Sequence, residues 1–143
     1  MQRHIVQRWL ALPLLCAGLA ALAACARSAA TEPAPPADST VVLAVGQSVA
    51  LTPTATLRLD RVNDSRCKVG AVCVWAGYIS YSFTVSEGGA ATAFTLSDSM
   101  PGGAPSSSVQ GRTFTLVGVE PAAPPALRAP EPDYRVSVKV SAN

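Results

Sequence analysis

The sequence predicts an all-β fold over residues 41–143: a small antiparallel β-sandwich or partly open barrel with one short-loop disulfide. Three observations carry that reading. From Val41 onward, short β-branched runs are separated by clusters of Gly, Pro, Ser and Asn, the usual punctuation of strands. Within the runs apolar and polar residues alternate with period 2, which marks a sheet with one face on a core. No stretch of the region carries a convincing helical period. The chain has 143 residues, 49% apolar and 14% charged. That suffices for one domain and a tail, and is too apolar for wholesale disorder.

The elements follow in order. Residues 41–45 and 48–51 flank a Gly46-Gln47 turn. Residues 55–62 place Leu57 and Leu59 on one face and Thr56, Arg58 and Asp60 on the other. Residues 78–85 turn Ile79, Tyr81, Phe83 and Val85 inward, and Glu87-Gly88-Gly89 is a hairpin turn into residues 91–96. Residues 112–119 show Phe114 and Leu116 on one face, and residues 134–140 alternate Val136, Val138 and Val140 with Arg135, Ser137 and Lys139. Seven or eight strands in about 100 residues fit a sandwich or open barrel. Trp75, Phe83, Phe94 and Phe114 are the expected large core residues. Residues 97–110 and the proline-rich 121–132 read as loops.

Residues 1–24 differ in kind. Arg3, His4 and Arg8 form a basic start, and an uncharged run rich in Leu and Ala extends from Trp9 to Ala24. The run is short for a membrane span, which needs about 20 apolar residues, and has the layout of a secretory signal. Its end, Leu22-Ala23-Ala24-Cys25, resembles the lipobox of bacterial lipoproteins. The resemblance implies cleavage between Ala24 and Cys25 and a covalent lipid on the Cys25 thiol. With two or more acyl chains such an anchor is stable. In that family an Asp after the cysteine commonly retains the protein at the inner membrane. Ala26 stands there instead, so the outer membrane of the bacterial cell envelope is the expected location. Residues 25–40, rich in Ala and Pro, are the expected linker.

Processing would change the charge balance. The full chain carries eleven basic and nine acidic residues. Loss of Arg3 and Arg8 leaves nine of each in a mature chain of 119 residues. The only histidine, His4, leaves as well. No Ser-His-Asp or Cys-His arrangement and no His-based zinc site is then available. Without a basic run, nucleic-acid binding is not expected. No cofactor is expected beyond the lipid.

The most distinctive stretch runs from Asp64 to Gly77: DSRCKVGAVCVWAG. Cys67 and Cys73 are an even pair in an exported domain and read as one structural disulfide. A redox pair would normally be Cys-x-x-Cys at a helix start, and two thiolates alone are a poor metal site. Trp75 is expected to pack against the bridge at the start of a strand. Asp60, Asn63 and Asp64 offer oxygen ligands near a turn but no complete Ca²⁺ loop, so no metal is expected. An Asp64–Arg66 pair at the surface would contribute little. The segment resembles a group of small exported bacterial proteins, many of them predicted lipoproteins. They carry Asp-Ser-Arg-Cys-Pro, a short turn, then Cys-Val-Trp-Ala-Gly. Asp64, Arg66, Trp75 and Gly77 match that pattern, and Lys68 replaces its proline. The strand ending at Val119-Glu120-Pro121, the proline-bearing loop and Tyr134-Arg135-Val136 are also similar to theirs. The group brings no established activity.

The leading expectation is a non-enzymatic envelope lipoprotein, attached to the membrane by its lipid and binding an envelope protein or another envelope component. The alternative is a small-molecule or ion-binding module with a shallow site near Trp75, Tyr78 and Asp64. An enzyme would need Asp98, Glu87 or Asp133 as acid and base, and their spacing argues for no shared cleft.

Overall fold

The structure, a computed structural model, describes residues 38–143. The expected signal peptide, Cys25 and most of the linker lie outside the described residues. Eight strands are present there: β1 Ser39–Ala44, β2 Ser48–Thr52, β3 Ala55–Asp64, β4 Ile79–Glu87, β5 Ala90–Leu96, β6 Ser106–Val109, β7 Arg112–Glu120 and β8 Arg135–Ala142. They form two antiparallel four-stranded sheets, ordered β1-β8-β7-β6 and β2-β3-β4-β5. The sheets pack face to face as a sandwich.

The alternation read from the sequence is the packing plan. Leu57, Leu59, Phe83 and Val85 from one sheet and Phe114, Val136 and Val138 from the other are fully buried. Phe94 stacks between Phe83 and Phe114, at centroid distances of 5.5 and 4.8 Å. Each buried Phe of this kind contributes about 3–5 kcal/mol relative to Ala.

The expected Gly46-Gln47 turn is present and forms a corner between the sheets, since β1 pairs with β8 and β2 with β3. Its geometry is set by Gly46 at φ +81° and by the Gly46 amide donating to Leu59 O at 2.7 Å. The loop expected at 97–110 contains β6, whose serines carry little apolar signal. They pair with β7 at the sandwich edge, where the hydroxyls of Ser106 and Ser108 meet Thr115 and Thr113. Trp75 is not a core residue; it is 58% exposed, on a segment with no strand.

Three irregularities shift the alternation. In β3 the pair Leu59–Phe83 is followed by Arg61–Ser82, so Asp60 is an extra residue. Val62 thereby faces inward and Arg61 outward. A strict period of 2 from Leu57 would have buried Arg61 and Asn63, and the bulge avoids this. β7 is shifted in the same way between Leu116 and Gly118, which leaves Val117 exposed. β2 is shifted between Ala50 and Thr52, at Leu51, which is buried.

The register also defines the two ends. Ser39, the first residue of β1, pairs with Val140 near the end of β8. The β4–β5 turn at Gly88-Gly89 and the β6–β7 turn lie at the same end, where the Asn143 amide donates to Gly111 O at 3.1 Å. The β3–β4, β5–β6 and β7–β8 connections lie at the other end. β8 has 8 residues, so the ends are separated by about 25 Å.

Candidate functional site

The end opposite the start of β1 is built around the sequence's most distinctive segment. The β3–β4 ladder does not stop at Asp64. The Ser65 amide donates to Tyr78 O at 2.9 Å and the Cys67 amide to Ala76 O at 2.8 Å. The connection is a hairpin extension whose tip is closed by the Cys67–Cys73 disulfide, with Cα atoms 5.9 Å apart. Closing a loop this short contributes about 2 kcal/mol by chain entropy. Gly77 makes the extension possible. Its φ is +72°, and a Cβ there would lie 1.9 Å from the Ser65 carbonyl oxygen. No residue with a side chain fits.

The base of the extension is held by an ion pair that the sequence understates. Asp64 and Arg66 sit on the inner side of the bulge-shifted strand end, with side chains 6% and 19% exposed. Arg66 Nε donates to Asp64 Oδ1 at 2.8 Å and Nη2 to Oδ2 at 2.7 Å. The Arg66 amide adds a bond to Oδ1 at 3.0 Å, and Tyr134 Oη donates to Oδ2 at 2.6 Å. Arg66 Nη1 then reaches across to Ala122 O at 2.6 Å. The pair thus ties β3 to the start of β8 and to the β7–β8 loop. Two-pronged geometry of this kind is stronger than an exposed contact. Burial raises the Asp64 carboxyl, but the bonds from Arg66 and Tyr134 outweigh it and hold it below its ordinary value. Burial, reinforced by the bond to Asp64, pushes the Tyr134 phenol up to about 12.

The proline-rich loop is fastened to the disulfide loop a second time. The Val69 amide donates to Pro125 O and the Leu127 amide to Val69 O, both at 3.0 Å. What this scaffold presents is apolar. Val72 and Val74 are fully exposed, and Val69, Trp75 and Leu127 are at least half exposed. Trp75 meets Tyr78 edge-on, with ring centroids 5.8 Å apart. Single exposed apolar residues need no explanation; here five fall on the disulfide segment and the loop fastened to it.

The other expected residues fall elsewhere. The structure does not join Asp64 to Trp75 and Tyr78 in a shared open site, because the Asp64 carboxylate is enclosed by Arg66 and Tyr134. Asp60 accepts from Thr84 at 2.7 Å and lies 3.5 Å from Arg58. Glu87 sits at the far end of β4, paired with Arg112. Asp98 follows β5 at the disulfide end, and Asp133 precedes Tyr134.

Two clefts accompany the loops. One, of about 230 Å³, lies between Asp64, Lys68 and the proline-rich loop. The larger, of about 430 Å³, opens between the sheets beyond the ends of β5 and β6. Ile79 and Tyr81 of β4 form one wall and Leu116–Val119 of β7 the other, with Asp98 and Ser99 at the rim and Arg66 at one end. Sequence reasoning missed this cleft and the role of Tyr134. Both depend on which loops meet, and the sequence around Tyr134-Arg135-Val136 carries no local sign of that role. No family model, no curated protein and no solved structure matches the chain.

Proposed function

We propose that this chain is a bacterial envelope lipoprotein, anchored by lipid on Cys25 at the outer membrane. Its β domain is non-enzymatic and docks an envelope protein through the disulfide-loop end. The observation that supports this reading is the braced display of Val72, Val74 and Trp75 at the end away from Ser39. A tether attached at Ser39 leaves that end free to face a partner. Exposed aromatic and aliphatic side chains on a rigid loop lose little conformational entropy when buried, which favours them as binding anchors.

Two measurements on the membrane-extracted chain test the two halves of the reading. Intact mass should show loss of residues 1–24 and gain of acyl chains; a mature mass that retains residues 1–24 overturns the anchor. A photo-crosslinking residue at position 74 should capture a discrete envelope protein in whole cells, and the same residue at position 88 should not. Identical capture patterns from the two positions overturn the docking end.

A further inference from the structure

The 430 Å³ cleft between the sheets does not include the exposed valines of the docking loop, and its volume lies within the ordinary range for small-molecule sites. It exists because both edge strands stop short. β5 ends at Leu96, opposite Tyr81, and β6 begins at Ser106, opposite Thr115. Beyond those points the two sheets are not closed by edge strands. The segment between β5 and β6 seals the β4 side: Ser97 Oγ donates to Ile79 O at 2.6 Å, and the Ile79 amide donates to Ser99 Oγ at 3.3 Å. The Leu116 amide is taken by Pro105 O at 2.7 Å. What remains is a half-open space with apolar walls from Ile79, Leu116 and Val119.

Its polar groups are unequal. Tyr81 is 1% exposed and lines the cleft, and the hydrogen bonds that fasten Ser97 and Ser99 to β4 beside it do not use its hydroxyl. A buried hydroxyl without a partner is costly unless water or a ligand meets it. Asp98, at the rim, makes no ion pair among the described residues. Arg66 also lines the space, but its charge is balanced by the two-pronged bond to Asp64. Asp98 is thus the cleft's carboxylate without an ion-pair partner among the described residues, exposed at its mouth. Its phenol, carboxylate and Ser99 hydroxyl are all oxygens able to accept. Such a set suits a donor-rich cation and repels an anion.

We propose that this cleft binds a small organic cation, an ammonium group on a compact apolar body, with Asp98 and Tyr81 holding the ammonium and the β4 and β7 walls holding the body. Three probes share one ring and differ in the head group: cyclohexylamine, cyclohexanol and cyclohexanecarboxylate. Each is titrated calorimetrically into the full chain in detergent, with empty micelles as the blank. Cyclohexylamine should bind saturably at one site per chain, at least tenfold more tightly than cyclohexanol, and cyclohexanecarboxylate should give no saturable heat. Asp98→Asn should weaken the amine at least tenfold. Tyr81→Phe should weaken it several-fold while leaving thermal unfolding nearly unchanged, because the ring stays. Val74→Asp should leave amine binding intact, which separates this site from the docking loop. No saturable binding of the amine, equal binding of the carboxylate, or an unchanged affinity in Asp98→Asn would each overturn the proposal.

Discussion

Each end of the sandwich has a two-pronged arginine–carboxylate pair, and the two pairs do different things. Near Ser39, Arg112 at the start of β7 donates to Glu87 at the end of β4, at 2.8 and 3.0 Å. That pair links the two sheets at their rim, with side chains 16% and 34% exposed. At the other end Arg66 and Asp64 repeat the geometry, but Tyr134 and the Ala122 carbonyl join in and the carboxylate is closed off from water. The first pair sits among tight turns that hold themselves. The second holds two long loops that have little regular structure of their own. A sandwich core makes its own hairpins cheaply, whereas a braced loop end needs dedicated polar contacts.

Glycine substitutions should break the comparison most sharply. Gly88 and Gly89 have positive φ, but a Cβ at either meets nothing within 4 Å. Ala at Gly88 should cost about 1 kcal/mol of backbone strain. Gly77→Ala adds a backbone clash to the same strain and should cost about 4 kcal/mol. Urea unfolding of the two variants measures the difference. Equal costs would mean that the hairpin extension yields at no penalty, and that the loop end is not braced.

Removing the carboxylates should show the next largest asymmetry. Asp64→Ala strands Arg66 and Tyr134 and should cost about 3 kcal/mol. Glu87→Ala frees an arginine that water can reach, and its midpoint should move less. The pH response has a definite sign. Asp64 is held below its ordinary value of 3.8, so its contribution is complete above that pH and is lost as pH falls through the folded value. Asp64→Ala should therefore unfold with a shallower acid limb. Some limb should persist, because Glu87 is lowered by Arg112 as well. Tyr134 runs the other way. Raised from 10.0 to about 12, it contributes below pH 10 and loses that contribution between 10 and 12. Thermal midpoints of Tyr134→Phe from pH 9 to 12 should fall less steeply than those of the parent. A matching slope in both would remove Tyr134 from the network.

The sandwich was legible because its signal is local: alternation at Phe83, Phe114 and Val136 states which face is inside. The site was less legible because one inserted residue changed the outcome. Strict alternation from Leu57 turns Asp64 outward and makes its pair with Arg66 a weak surface contact. The bulge at Asp60 turns it inward to Tyr134, 70 residues away, and no local pattern announces that. Trp75 failed for a related reason. A tryptophan beside two cysteines suggests a packed core, but the hairpin extension carries the segment past the end of the sheets, where no core remains to cover it. β6 was missed because Ser106–Val109 lies at an edge and needs hydroxyl pairing more than apolar burial.

The smallest expected effect on stability falls on the residue that most separates the ends. Val74 touches little, being fully exposed, so Val74→Ser should move the unfolding free energy by less than about 0.5 kcal/mol. The same change at Val85, which is fully buried on β4, should cost several times more, because it buries a hydroxyl and opens a cavity. An apolar residue this exposed, set directly after the disulfide-closed loop, adds little to stability. If the loop end docks a partner, Val74→Ser should keep the parent's urea midpoint and lose the product captured by a photo-crosslinking residue moved to position 72. A variant that keeps both would leave the exposed valines without a role in docking.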